Sequence, residues 1–250
     1  MRVYWTLTQR ELAGYFLSLT GYIILAGALF LMGLSFVVLL IKLQQEPTPM
    51  PITEVFYITP FFWYILLLST PVITMRLFAL EKLSGTFETL MTAPVSDRQV
   101  VLAKFTAGLL FHAILWLPLL GCLLVVRHYA SEPAAFEAGT ILSTFLGILL
   151  LGGLFVSAGC CASALTRSQV SAAMIGLGFG ATVFLLGVLA DNWSAPSSWE
   201  AQLLAGLAFF EQMHDFARGV VDTRAVLLYL SLTLFFLFLT LRVVESRRWK

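Results

Sequence analysis

Six long apolar runs leave this chain few ways to fold: Thr20–Ile41, Val55–Met75, Phe105–Val126, Ala138–Thr166, Ser168–Ala190 and Ala225–Leu241. A bilayer core about 30 Å thick takes roughly 20 helical residues to cross. Inside it, an α-helix satisfies all its backbone hydrogen bonds within one segment. Six such runs predict an all-α integral membrane protein with one transmembrane domain over residues 1–250. The last run is short, about 25 Å as a helix, but Arg224 and Arg242 at its ends can snorkel to the two interfaces. Only Thr166-Arg167-Ser168-Gln169 divides the fourth run from the fifth. It is read as a tight turn, because the combined run is far too long for one crossing. With flanking helix signals added, the spans are placed at about 20–41, 55–76, 97–126, 138–166, 168–190 and 223–243. The first run passes through Ala26-Gly27-Ala28 to Ile41, longer than the core of a cleavable leader, so it is read as a span.

Only 12% of the residues are charged and 59% are hydrophobic, with mean hydropathy +0.90; a soluble domain carries roughly a quarter charged residues. The net charge of +1 offers no nucleic-acid footprint. Cys122, Cys160 and Cys161 sit within apolar runs without a CxxC or His/Cys metal spacing, and are read as small packing residues.

The few cations can be placed one by one. Six spans put both termini on one side. Arg2, Arg10, Arg76, Lys82, Arg98, Lys104, Arg167, Arg242, Arg247, Arg248 and Lys250 fall on that side; Lys42, Arg127, Arg218 and Arg224 fall on the other. Eleven against four makes the terminal side cytoplasmic by the positive-inside rule. Before the first span, Thr8-Gln9-Arg10-Glu11 has the form of a capping box. Tyr4, Trp5, Leu12, Tyr15, Phe16 and Leu19 supply apolar mass. Residues 1–19 are accordingly read as an interfacial helix on the inner leaflet, rather than an extension of span one.

The most polar stretch of the first half, Glu81 to Val100, separates spans two and three. Gly85 is read as a helix start, and Phe87, Leu90 and Met91 at i, i+3 and i+4 form one apolar face, with Glu88 and the threonines on the other. Pro94 disfavours helix at Ala93 and ends the element. Ser96-Asp97-Arg98-Gln99 then makes a capping box flanked by Val95 and Val100, so span three starts at Asp97 with a fixed entry angle. A two-turn helix is unstable alone in water and must pack on something: a partner's groove, its own membrane domain, or the lipid surface.

Between spans five and six, residues 197–219 are read as an outer-side re-entrant or interfacial pair of helices, opened by a Ser197-Ser198-Trp199-Glu200 box and broken at Gly219 before Asp222 caps span six. Glu211, His214, Asp215 and Arg218 share one helix face there. They are either an outer-side substrate or metal site or a solvated face with i,i+4 pairing; the single His favours the second. His112 is an ionisable residue inside a long span, hence a candidate intramembrane polar site. Gly147, Gly152, Gly153 and Gly159 in span four, and Gly176, Gly178 and Gly180 in span five, offer surfaces for close helix packing. No metal site and no catalytic constellation are expected. No G-x-x-x-x-G-K-[ST] loop is present to cradle ATP phosphates.

The segment from Arg76 to Lys104 resembles the cytoplasmic coupling region of ABC-2-type transporter permeases at Glu81, Gly85-Thr86, Glu88, Leu90, Pro94-Val95-Ser96 and Lys104. "RELAGYFLSLTGYIILAG" from Arg10 and "DFARGVVDTRAVLLYLSLTLFFLFLTLRVVESRRW" from Asp215 are similar to the gliding-motility-associated branch, which carries Pro where this chain has Thr20. The resemblance implies a multi-pass permease subunit of the bacterial inner membrane, and export rather than import. It assigns ATPase coupling to Glu81, Gly85, Thr86, Phe87, Glu88, Leu90, Met91, Ala93 and Pro94. It also implies two ABC ATPase subunits, which use ATP and Mg, and a second permease, identical or a sister chain. This chain itself would bind no cofactor and hydrolyse no ATP. The alternative reading is a membrane anchor or mechanotransmission scaffold that the ATPase drives and that carries no substrate.

Overall fold

Every residue from Leu151 to Ala164 is buried, so the helix that contains them is the axis around which the others pack. The computed structural model describes residues 2–45, 51–87, 95–129, 137–192 and 208–246. Its helices are α1 (Arg2–Phe16), α2 (Leu19–Gln45), α3 (Ile52–Ile58), α4 (Phe61–Thr74), α5 (Ala79–Ser84), α6 (Asp97–Tyr129), α7 (Ala138–Leu165), α8 (Gln169–Asn192), α9 (Phe209–Arg218) and α10 (Thr223–Ser246). No strand occurs among the described residues. Among the described residues six stretches are long and apolar enough to cross a membrane: Leu19–Gln44, Phe61–Ser84, Asp97–His128, Ala138–Leu165, Gln169–Leu189 and Thr223–Ser246.

The axial helix α7 packs against α4, α6, α8, α9 and α10. Its sequence explains why. Small residues let neighbouring backbones approach where no water drives association. A Cβ at Gly152 would run into the His112 ring of α6, and one at Gly159 into Thr74 of α4. Alternation of the six spans places α1, α5, the start of α6 and the end of α10 on one face, called here the terminal face. The elements α3 and α9 lie on the opposite face, bonded through Thr53 Oγ1 to the Ala217 carbonyl at 2.7 Å.

Span two departs from the continuous run expected over 55–76. The chain breaks at Thr59-Pro60, and the crossing moves to Phe61–Ser84. Proline disfavours helical geometry in the residue before it, and Thr59 is extended (φ −71°, ψ 140°). Its hydroxyl donates to the Phe56 carbonyl at 2.7 Å and lies 2.7 Å from Ser35 Oγ, so the break is satisfied internally.

The Thr8 capping box is also absent: Thr8 lies within α1 and its hydroxyl donates back to the Tyr4 carbonyl at 3.0 Å. Nothing at Leu7 or Thr8 stops a helix that starts at Arg2. The real break is Leu17-Ser18, formed without proline at position 20. There Ser18 Oγ accepts the Gly21 amide at 3.3 Å and caps α2. Helix α1 turns its aromatic face onto α6, with Tyr15 stacked on Phe111 at 4.6 Å and the Tyr4 hydroxyl 2.6 Å from Thr106 Oγ1.

The box before α6 is present. Gln99 N donates to Ser96 Oγ at 3.4 Å, and Ser96 N to Gln99 Oε1 at 3.3 Å. Asp222 Oδ1 accepts the Arg224 amide at 2.8 Å at the start of α10. Gly85, read as a helix start, also closes α5 in the left-handed conformation (φ +74°), and the chain is helical again at Thr86 and Phe87. Glycine adopts this geometry without a Cβ penalty.

Candidate functional site

Helix α5 is the last described helix before the 85–93 segment, and its six residues are fastened on two sides. On the first, Ser163 Oγ near the end of α7 accepts the Phe78 and Ala79 amides, each at 3.0 Å, and donates to the Met75 carbonyl at 3.2 Å. Lys82 Nζ donates to the Ala164 carbonyl one residue on. On the second, Lys104 Nζ of α6 lies 3.0 Å from Glu81 Oε1 and 3.1 Å from Glu11 Oε2 of α1. Arg10 closes the group at 2.7 Å from Glu11 and 3.3 Å from Glu81.

Lys104 is only 2% exposed, and a buried ammonium is tolerated only when paired and hydrogen-bonded. Its two carboxylates and the Phe78 ring, 5.4 Å away, provide that. Burial alone would raise the Glu11 carboxyl; Lys104 and Arg10 together outweigh it and hold it below the usual carboxylate range. The same pairing raises the Arg10 guanidinium, with its hydrogen bond to Glu11 the largest cause.

Of the residues assigned to ATPase coupling, Glu81 is therefore turned inward, engaged with Lys104 and Arg10. Phe87 is buried at 7% exposure, with Lys82 Nζ 5.5 Å from its ring centre. It packs on its own chain, one of the settings open to this element. Gly85 and Thr86 are exposed. Glu88, Leu90, Met91, Ala93 and Pro94 lie outside the described residues, as does the Ser197–Glu200 box.

On the opposite face, His214 and Arg218 are brought together by Glu54 of α3, a residue that sequence reasoning missed. His214 Nε2 lies 2.9 Å and Arg218 Nε 2.7 Å from the same Glu54 Oε1. The Glu54 side chain is 3% exposed, Tyr57 stacks on His214 at 5.7 Å, and the Tyr57 hydroxyl donates to the Phe210 carbonyl at 2.7 Å. Glu211 is exposed and Asp215 half-buried; neither joins an ion pair among the described residues. The face thus pairs across helices, not by the i,i+4 contacts expected within α9.

His112 is fully buried, edge-on to Trp116 at 6.2 Å and pressed against Gly152. Neither ring nitrogen has a hydrogen-bond partner in satisfactory geometry among the described residues. The ring acts as a wedge between α6 and α7.

A family model described as ABC-2 family transporter protein matches residues 20–187, from the capped start of α2 through most of α8 and well over half of the chain. The chain belongs to this family. It is thus a membrane component of an ABC transporter, a permease that works with an ABC ATPase. No curated protein matches it. The match covers the whole of α5, the Glu81–Lys104 pair and the Ser163 junction, so the fastened helix lies inside the family's own domain; Arg10 and Glu11 precede the matched residues. In the ABC-2 permease's opposite-face cluster, Glu54 lies within the matched residues and His214 and Arg218 lie beyond them.

The signal that could have exposed Glu54 was a carboxylate within an apolar run next to Thr53 and Val55. A charge so placed needs a partner, but none of its partners is local.

Proposed function

We propose that this ABC-2 permease converts ATP hydrolysis by a separate ATPase into export, receiving the stroke through residues 85–93. The observation that carries this reading is the fastening of α5. A force on the segment that follows Gly85 reaches α7 through Ser163 and Lys82, and α6 and α1 through Glu81 and Lys104. Glu81 is then a transmission residue and not a docking one. In this reading the terminal face is cytoplasmic, as the eleven-to-four split of cations supports, and α1 lies along the inner leaflet. Two ATPase subunits, holding ATP and Mg, act on two permease subunits, the second a copy of this chain or a sister. Export and the gliding-motility-associated branch rest on the sequence resemblance.

The test is co-purification of the ATPase with variants in the segment. Leu90→Asp puts a charge into an apolar contact; an unpaired buried charge costs several kcal/mol, and each 1.4 kcal/mol is tenfold in affinity. Retention of the ATPase should fall by orders of magnitude at normal membrane expression. Glu88→Ala, at a wet rim, should cost about 1 kcal/mol and leave the complex assembled. Wild-type retention by Leu90→Asp would remove residues 85–93 as the docking element.

A further inference from the structure

Two cavities flank the C-terminal half of α4 and the turn after it. The larger, about 330 Å³, is an apolar groove between α2 and α4, walled by Ile24, Gly27, Leu31, Ile65, Ser69 and Val72 among others. The smaller, about 80 Å³, is a recess between α1 and the turn that joins α4 to α5, lined by Glu11, Tyr15, Arg76 and Leu80 among others. Arg76 lies two residues past the end of α4 at Thr74, in the turn that follows, and reaches Ser18, the cap of α2. Val72 near the end of α4 and Ile23 near the start of α2 wall the groove, so groove and recess adjoin at this corner. We propose that groove and recess together bind one anionic phospholipid, with an acyl chain between α2 and α4 and the phosphate on Arg76.

Charge selects the anion. Arg76 is half-buried, and its guanidinium donates to the Ser18 hydroxyl at 2.9 Å. No carboxylate pairs with it among the described residues. Glu11 faces the recess too, but Lys104 and Arg10 already hold its carboxylate. Over Arg10, Glu11, Arg76, Glu81 and Lys104 the formal charges leave one positive charge, and Arg76 is the cation without a counter-ion.

Depth selects a lipid. Ser69 lies five residues before the end of α4 at Thr74, about 7.5 Å along the helix, and Arg76 follows in the turn; that span is close to the headgroup layer of roughly 5–8 Å on each side of a bilayer. Arg76 ends the apolar run of α4, where headgroups begin. Leu17 and Leu19 at the elbow between α1 and α2 are 88% and 77% exposed, which suits a lipid environment and not water. The groove's volume falls within the range of small-ligand sites. Among the described residues Ser69 is the only polar side chain in its walls, and its hydroxyl is buried with no hydrogen-bond partner, a donor left for an acyl ester carbonyl.

The full-length permease, delipidated in detergent, can be titrated with dioleoyl phosphatidylglycerol or dioleoyl phosphatidylcholine and read by native mass spectrometry. One phosphatidylglycerol per chain should bind on the order of tenfold more tightly than phosphatidylcholine, the worth of one charge-assisted contact. Arg76→Gln should erase that preference and Arg76→Lys should keep much of it. A Cβ at Gly27 meets nothing within 4 Å, so Gly27→Leu fills the groove without disturbing the fold and should weaken both lipids. Equal binding of the two lipids by the wild type, or no effect of Gly27→Leu, would overturn the proposal. So would displacement of the lipid by glycerol 1-phosphate, which marks a free-anion site. Loss of a dimer in Gly27→Leu with lipid binding unchanged would assign the groove to a second copy of the chain and overturn it equally.

Discussion

Lys104 Nζ lies 3.0 Å from Glu81 Oε1, and this buried pair joins the first third of α6 to the short helix before the 85–93 segment. Replacing the cation by an apolar chain of similar length would leave Glu81 and Glu11 facing each other. Breaking a buried pair from one side costs about 3–5 kcal/mol; here both carboxylates keep some solvent, so the lower end applies. Lys104→Met should lower the thermal midpoint of the purified permease by several degrees. Adding Glu81→Gln should recover part of the loss, since it removes the stranded charge. A double-mutant cycle that comes out additive would mean that the pair is not coupled.

Glu11 sets a pH window for the same group. Its carboxyl sits below the ordinary value of 4.5 when folded, so the folded state binds protons less readily than the unfolded one. The stabilisation is full above about pH 4.5 and is lost as pH falls through the folded value. Wild-type thermal midpoints should drop more steeply as pH falls below about 4.5 than those of Glu11→Gln, which has no such proton to bind. Parallel profiles would contradict the pairing.

The parts of the fold legible in the sequence are those with a local cause. The box at Ser96 and Gln99 uses two residues three apart, and both hydrogen bonds are present. The Thr8–Glu11 pattern has the same letters and does not cap, because a box signals a start only where the preceding residues leave the helix. Pro60 was visible, yet the surrounding apolar run overrode it in the reading of span two. The hydroxyls of Ser35 and Thr59 that make the break tolerable come from different elements. The Glu54 cluster joins residues 160 and 164 positions apart, a relation that no periodicity carries. The inward turn of Glu81 likewise depends on α1 and α6, not on its own segment.

That cluster is the anchor of α9. Arg218→Ala should leave the Glu54 carboxylate buried with His214 as its only remaining partner in the pair. Arg218 is half exposed, so a cost of about 1–2 kcal/mol is expected, less than for a fully buried pair. The loss should appear as faster proteolysis between α8 and α10, while cleavage near α5 stays unchanged. Glu54→Gln keeps the shape and removes the buried charge, so Glu54→Gln with Arg218→Ala should be milder than Arg218→Ala alone. Equal protease sensitivity of the single variant and the wild type would show that Glu54 does not hold α9.

Topology follows from the six crossings and the cation split. In a background with Cys122, Cys160 and Cys161 replaced by alanine, single cysteines at Ser84 and Ser246 should react with a membrane-impermeant maleimide only after the membrane is opened. One at Ser131 should react in intact cells. Labelling of Ser84 and Ser131 from the same side would break the six-span arrangement.

Ser163 decides whether the fastening of α5 transmits force. Its hydroxyl accepts two buried amides and donates to one carbonyl, and it is 0% exposed. Ser163→Ala leaves those backbone groups without that partner, at about 1–3 kcal/mol for each buried donor that finds no other, yet removes no residue of the 85–93 segment. The alanine also fits, because α7 is lined with small residues there. Ser163→Ala should therefore keep the ATPase bound at wild-type stoichiometry. ATP hydrolysis by the complex should lose its response to the state of the permease, and transport should fall by an order of magnitude or more. Ser163→Thr retains the hydroxyl but adds a methyl in a fully buried position, so it should restore hydrolytic coupling only where the complex still folds, as judged by its thermal midpoint. If Ser163→Ala folds, binds the ATPase and transports at the wild-type rate, the stroke does not pass through Ser163, and the Lys82–Ala164 and Glu81–Lys104 contacts must carry it.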